Sequence, residues 1–297
     1  MLQVNKISKS FHQLNAVKNL SFTLAAGEVL GIVGQNGAGK TTTFKMLLDF
    51  IAPDTGSITF SNHPLTQNSI GYLPEERGLY LNFTIAEQVR YFANLHAYPT
   101  AQVEQELPLW LARLQVKGTL KTKIKDLSKG NQQKVQLITA LIHRPQLIIL
   151  DEPFSGLDPV NIALLIKTIQ NLKKEGAAII FSSHNMKNVE AVSDKLMMLI
   201  NGKRVLYGGI ETIKQQFTRR EVYLEGIFDS FAPYDLGQVI KVRDDQPGKI
   251  LTFENQAAAL AAIDRVKQLP DLTSFRLLKP SLDDIFRLMI QKEKEER

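Results

Sequence analysis

The chain has 297 residues, is 44% hydrophobic, carries a formal charge of +6 and contains no cysteine. This length accommodates one large domain or a medium one plus a small one, with apolar residues enough for a sizeable core. Disulfides and thiolate metal sites are excluded. The basic excess reads as a solvated surface, because no long basic block precedes the mixed-sign tail Lys292–Arg297, itself read as frayed helix.

In chain order, Leu2–Ile7 alternates apolar and polar residues and reads as a strand. Met1–Asn15 lacks the unbroken apolar core of a secretory signal. Ser10–Leu14 turns the chain into a second strand near Ala16–Leu24, and Ala25-Ala26-Gly27-Glu28 turns it again. Val29–Val33 is then a short apolar run suited to a buried strand. It feeds Gly34-Gln35-Asn36-Gly37-Ala38-Gly39-Lys40-Thr41-Thr42, which fits G-x-x-x-x-G-K-[ST] and opens a helix predicted over 41–50. Glycines let the backbone curl so that several N–H groups meet phosphate oxygens, and the helix N-terminus adds partial positive charge there. Lys40 would reach the β- and γ-phosphates, and Thr41 would place its hydroxyl on Mg²⁺. This stretch predicts nucleoside triphosphate binding.

That helix closes near Pro53–Gly56, and short strands are predicted at Ser57–Phe60 and Ser69–Leu73. From Thr84 to about Leu114 the spacing becomes helical, with Pro99 and Pro108 as punctuation. Leu127-Ser128-Lys129-Gly130-Asn131 then precedes a helix predicted over about 131–143. Ser128 and Gly130 could offer a hydroxyl and N–H groups to an anion, or simply cap that helix. Leu147–Leu150 is an apolar strand ending in Asp151 and Glu152. Asp151 would hold Mg²⁺ through water, and Glu152 would polarise an attacking water as general base. Phe181-Ser182-Ser183-His184 repeats the arrangement, with His184 a candidate γ-phosphate contact at the end of a strand over 177–182. Open parallel sheets gather ligands at strand C-termini, where these motifs fall. Helices over about 160–174 and 186–193 and a strand at 195–200 complete an alternating pattern. It reads as α/β with a largely parallel sheet. Asn201-Gly202-Lys203 signals a hairpin returning through Arg204–Tyr207.

Near residue 220 the pattern restarts. Val222, Leu224 and Ile227 suggest a strand, followed by strands over 238–243 and 249–253, an alanine-rich helix over 256–268, a strand near 272–278 and a final helix over 281–291. This part, 221–297, reads as a small α+β accessory domain after a domain spanning 1–220. No catalytic constellation stands out in it, and Asp283-Asp284 reads as a dipole-compensating pair at the last helix's start.

Together these segments resemble the ATP-binding subunit of ABC transporters, over roughly residues 1–215. Gly34–Thr42 looks like the P-loop and Leu147–Asp151 with Glu152 like the Walker B strand and catalytic glutamate. Ser155-Gly156-Leu157-Asp158 looks like the D-loop, His184 like the switch histidine and Leu127–Asn131 like the signature. The resemblance implies a P-loop NTPase cassette with a mostly parallel core sheet, an antiparallel β subdomain and a helical insert over about 84–145. It implies ATP and Mg²⁺ as cofactors, with Phe11 stacking on adenine. Ser128, Gly130 and Asn131 would touch the nucleotide of a second cassette paired head to tail. Two positions depart from the family pattern. The signature reads L-S-K-G-N where the family has L-S-G-G-Q, and Glu75 stands where a glutamine usually contacts the metal. The segment Gly71–Tyr80 and the C-terminal part are similar to the NatA-like sodium and drug export type. The implied function is ATP hydrolysis powering export through a separate transmembrane permease, from the cytoplasmic face of the membrane, with no nucleic acid as partner. The alternative is a soluble ABC ATPase acting on ribosomes or DNA. A single P-loop and a short insert argue against it.

Overall fold

A computed structural model describes residues 1–61, 66–76, 78–226, 233–268 and 272–295. Ile227, the end of the expected 222–227 strand, Arg77 of the Gly71–Tyr80 segment, and the last two residues of the tail lie outside them. The chain divides into two compact units, Met1–Gly208 and Gly209–Arg297. The division precedes the boundary read near residue 220 because the helix Ile210–Gln216 falls in the second unit.

The first unit opens with β1 (Leu2–Phe11) and β2 (Leu14–Leu24), joined by a tight turn in which His12 has a φ of 52°. Both strands outrun their apolar alternation, so residues expected to turn at Ser10 and Phe11 are still paired. Next come β3 (Val29–Val33), α1 (Lys40–Leu47) and β4 (Thr55–Phe60). After β5 (Ile70–Leu73) the helical insert supplies α2 (Ile85–Leu95), α3 (Thr100–Arg113) and α4 (Lys129–Leu141). Thr84 and Glu87 close a reciprocal capping box that fixes where α2 begins. Pro108 lies inside α3 rather than punctuating it. The buried side chains of Val103, Leu107 and Leu111 hold the helix together across the missing N–H. The unit continues through β6 (Leu147–Leu150), α5 (Pro159–Lys174), β7 (Ala178–Ser182), α6 (Met186–Val192), β8 (Lys195–Ile200) and β9 (Lys203–Gly209).

Two sheets result. β2-β1-β4 is antiparallel, and β5-β6-β7-β3-β8-β9 is six-stranded. From β5 to β8 every neighbouring pair is parallel. β3, β6 and β7 are buried on both faces, which is why they read as unbroken apolar runs rather than alternating ones. Asn201 and Gly202, both at positive φ, turn β8 into β9. The apolar side chains of Leu2, Ile7, Leu30, Ile32, Phe44 and Ile180 belong to one core shared by both sheets and α1.

The second unit contains α7 (Ile210–Gln216), β10 (Arg220–Gly226), β11 (Val239–Asp245), β12 (Gly248–Phe253), α8 (Gln256–Val266), β13 (Leu272–Leu278) and α9 (Leu282–Glu295). Its sheet runs β11-β12-β10-β13, all antiparallel. α8 covers one face through Ala259, Ala262 and Ile263 against Val222, Leu224, Leu251 and Phe253. Asp284 does more than compensate a helix dipole. It takes Lys241 Nζ at 3.4 Å and Arg243 Nη1 at 3.2 Å, tying α9 to β11.

Candidate functional site

The strand order brings the predicted loops together. β5, β6, β7 and β3 are consecutive neighbours, so the residues following Leu73, Leu150, Ser182 and Val33 emerge along one edge of the sheet. Glu75, Asp151, Glu152, His184 and the glycine loop share that edge for this reason alone.

The loop's glycines are sterically enforced. A Cβ on Gly34 would lie 2.6 Å from the Leu199 carbonyl oxygen and 2.8 Å from Ala38 Cβ. One on Gly39 would lie 2.5 Å from the Ala16 oxygen, at a φ of 104° that side chains avoid. Gly39 caps α1 without a side-chain hydrogen bond, leaving the helix's first N–H groups facing the loop. Lys40 folds back so that its Nζ donates to the carbonyls of Gly34 at 2.7 Å and Gln35 at 3.2 Å. The loop therefore concentrates N–H groups, a helix terminus and an ammonium in one short segment. Such a segment selects a polyanion.

Across the sheet edge, Asp151 is buried and Glu152 sits in the left-handed region with a φ of 47°. Ser182 organises both. Its hydroxyl donates to Asp151 Oδ1 at 2.6 Å and accepts from the Glu152 backbone N–H at 2.8 Å. Glu152 Oε2 then accepts from His184 Nδ1 at 2.9 Å. A carboxylate oxygen only accepts, so Nδ1 is the donor in this bond. Glu152 is 11% exposed while His184 is 76% exposed, so a shielded carboxylate is held by an open imidazole. Burial pushes the Tyr72 phenol up to about 12, and the charges of Asp151 and Glu75 add to the rise. Glu75 is exposed at the start of the loop after β5.

Among the described residues no three His, Asp or Glu side chains form a ready-made metal cage. Thr41, Asp151 and Glu75 offer a few hard oxygens near a phosphate-binding loop. That donor set fits Mg²⁺, which keeps waters and takes most remaining ligands from phosphates.

Ser128, Gly130 and Asn131 make no hydrogen bond to the glycine loop among the described residues; they begin α4 in the helical insert. Ser128 caps that helix. Asn131 Nδ2 donates to Ser128 Oγ at 3.0 Å and Asn131 Oδ1 accepts from the Lys117 N–H at 2.9 Å. Asn131 is thus used to brace the turn, while Ser128 and Lys129 face outward. Asp158 likewise caps α5, and the Asn161 N–H bonded to it holds its carboxyl below the usual range. Phe11 ends β1 half-exposed, with Lys9 Nζ 5.9 Å from its ring centre.

Residue-by-residue reading missed Ser182, Gln133 and Gln136. Gln133 Nε2 reaches the Pro153 carbonyl at 2.8 Å and Gln136 Nε2 the Glu76 carbonyl at 3.2 Å, linking α4 to the loops after β6 and β5. The available signal was polarity where apolar residues were due: a serine ending a buried strand and glutamines on a buried helical face. Beside these links, Phe50, Tyr72, Gln88, Phe92, Leu95 and Gln136 line a cavity of about 350 Å³ between the core and the helical insert.

Comparison with known proteins agrees with this fold. A family profile described as ABC transporter matches residues 17–155, and one for the C-terminal domain of DrrA1-3-like ATP-binding proteins matches residues 208–290. The chain is similar to the uncharacterized ABC transporter ATP-binding protein YhaQ of Bacillus subtilis, at 37% identity over 96% of this chain and 97% of YhaQ. It is similar to the ABC transporter ATP-binding protein NatA of the same organism, at 33% identity over 72% of this chain and 91% of NatA. Among solved structures, an ATP-binding subunit of an ABC transporter superposes with a TM-score of 0.68 at 31% identity, covering 73% of this chain and 92% of that one. The dimeric cassette MJ0796 gives a TM-score of 0.65 at 19% identity, covering 71% and 99%, which speaks to fold.

Proposed function

The chain belongs to the ABC transporter ATP-binding family, and from that premise we propose that it drives export of sodium ions or small toxic compounds through a separate membrane permease. As a family member it is an ATP-hydrolysing P-loop subunit. The observation that carries the residue assignments is the shared sheet edge, where the glycine loop, Asp151, Glu152 and His184 follow adjacent parallel strands.

In this reading Gly34–Thr42 grips the triphosphate, with Lys40 leaving the carbonyls of Gly34 and Gln35 for the β- and γ-phosphates. Phe11 stacks on adenine. Thr41 and Asp151 hold Mg²⁺, with Glu75 beside them; the ion neutralises phosphate charge when bound. Glu152 accepts the proton of the attacking water. His184 orients Glu152 through Nδ1 and, with its other ring nitrogen also protonated, donates to the γ-phosphate. Ser182 keeps Asp151 and Glu152 in register. Ser128 and Gly130 complete the site of a second copy paired head to tail, a role supported by the outward position of Ser128 and by the dimeric cassette among the structural neighbours. Asn131 contributes by bracing that turn.

No helix among the described residues is long and apolar enough to cross a membrane, so a permease must supply the crossing. The cavity lined by Phe50, Tyr72, Phe92 and Leu95 receives it, with the chain peripheral at the cytoplasmic face. The test is co-expression with the neighbouring multi-span protein and purification from detergent. The two should co-elute, and transport in vesicles should stop with Lys40→Ala. Full ATP turnover by that variant refutes the grip on phosphate; no association with any permease refutes the transport role.

A further inference from the structure

The helical insert presents a basic and aromatic surface that ATP chemistry leaves unused. Residues 117–129 carry five lysines against one acid, Asp126. Within them, 121–125 runs beside the loop after β5. The Lys125 N–H donates to the Leu81 carbonyl at 3.0 Å and the Ile124 N–H to the Phe83 carbonyl at 2.9 Å, while Thr84 bridges to Lys123. Alternation along this stretch buries Ile124 and leaves Lys121, Lys123 and Lys125 exposed. None of the three side chains makes an ion pair or hydrogen bond among the described residues. Glu87 on α2 feels the charge of Lys123, but the Thr84 N–H and hydroxyl already engage its carboxylate, at 2.8 and 2.9 Å.

Large apolar side chains flank these cations. Tyr80 and Leu81 are about half exposed, at 47% and 53%, and Tyr91 of α2 and Leu120 are exposed beside them. Tyr80 and Tyr91 meet edge to face with ring centres 5.5 Å apart. The Leu120 carbonyl accepts from the Ala86 N–H at 3.1 Å, so both loops and α2 form one continuous surface. Three ammonium groups without counterions thus stand among open tyrosines and leucines. Lysines seek anionic headgroups and tyrosines the headgroup level of a bilayer, so the mixture is complementary to a membrane–water interface.

We propose that this surface binds anionic lipid headgroups directly, Lys121, Lys123 and Lys125 meeting the headgroup charges while Tyr80 and Leu81 enter the interface. The contact rests on the peripheral location proposed above only for which leaflet is met, and it needs no permease. A lysine at an anionic leaflet strengthens binding by about fivefold, so the three together give about a hundredfold. One basic cluster with shallow apolar insertion is a reversible attachment, which orients the chain on the membrane without anchoring it.

The test is flotation of the full chain alone with vesicles of phosphatidylcholine, or of phosphatidylcholine and phosphatidylserine in equal parts. The anionic vesicles should bind at least about tenfold more tightly, and the preference should fade as salt rises. Lys121→Gln, Lys123→Gln and Lys125→Gln combined should weaken that binding by about fiftyfold or more. Replacing the exposed Lys167, Lys174 and Lys203 by glutamine removes the same charge elsewhere and should weaken it by less than about threefold. Leu81→Ser should weaken it by about threefold or more. Phosphate release without vesicles reports that each variant is folded, so failure here leaves ATP hydrolysis and the permease reading standing. No preference for anionic vesicles, or equal losses from the two triple replacements, overturns the proposal. Binding unmoved by Leu81→Ser overturns the insertion. Association with a detergent-solubilised permease that depends on the three lysines, without vesicle binding, gives the surface to a protein partner and equally overturns it.

Discussion

Replacing Ser182 with alanine isolates how the acidic pair is positioned. The hydroxyl makes two bonds, one to the Asp151 carboxylate at 2.6 Å and one from the Glu152 N–H at 2.8 Å. A hydrogen bond to a charged group contributes about 1.5–3 kcal/mol, and a stranded buried N–H costs about 1–3 kcal/mol. Ser182 itself is fully buried, and water cannot substitute without rearrangement. Stability should fall by about 2–3 kcal/mol in urea denaturation, a sum discounted for relaxation. The kinetic effect should be larger than the binding effect. Glu152 is held in a left-handed backbone conformation whose N–H anchor is removed, so as the proposed base its carboxylate would lose its aim at the water. A loss of about 1.4–2.8 kcal/mol in the transition state is roughly ten- to a hundredfold in kcat. Phosphate release at saturating ATP measures it, with the ATP dissociation constant measured alongside. Ser182→Thr keeps the hydroxyl and should recover most of the rate. A folded Ser182→Ala chain with kcat within about twofold of the parent would refute the positioning argument.

Other substitutions test separate parts. Glu152→Gln should retain ATP while slowing hydrolysis by about 10²–10⁴, and should favour an ATP-bound dimer in light scattering; a strictly monomeric species at saturating ATP, with its permease present, counts against the head-to-tail pair. Gly39→Ala places a Cβ 2.5 Å from the Ala16 oxygen at a φ of 104°, so stability should drop by about 1–3 kcal/mol and ATP affinity with it, as denaturation and equilibrium dialysis would report. In the second unit, burial raises the Glu221 carboxyl from 4.5 to about 7, with hydrogen bonding to Asp284 adding to the rise. The folded state then holds this proton more tightly than the unfolded chain, so Glu221 contributes stability below about pH 4.5 that is lost as pH climbs to about 7. Relative to Glu221→Gln, the parent should lose at most about 3 kcal/mol across that window and change little above it. A stability difference between the two that stays flat from pH 4.5 to pH 8 would remove Glu221 as the titrating group.

The parts of this protein written locally in its chain are those whose physics is local. A loop that must curl around phosphate needs glycines at fixed intervals, so Gly34–Thr42 announces itself. Strands buried on both faces must be apolar throughout, so Val29–Val33, Leu147–Leu150 and Ala178–Ser182 stand out with the polar residues that end them. The resemblance carried by those segments supplied the family. Helix bounds were less legible: α4 begins at Lys129 because Ser128 caps it, and Pro108 is absorbed into α3 by packing that its neighbours do not advertise. Strand adjacency was invisible, since nothing local says that β7 lies between β6 and β3. That adjacency converts Ser182 from a strand-ending serine into the residue joining Asp151 to Glu152, across 31 and 30 residues of sequence. The same limit hid the ion-pair network around Glu221, whose partners Arg243 and Asp284 come from a different strand and a distant helix. A sequence specifies which groups exist and what local backbone they demand. Which buried group meets which is settled only when sheets and helices pack, because desolvation and hydrogen-bond geometry act between residues that the chain itself keeps far apart.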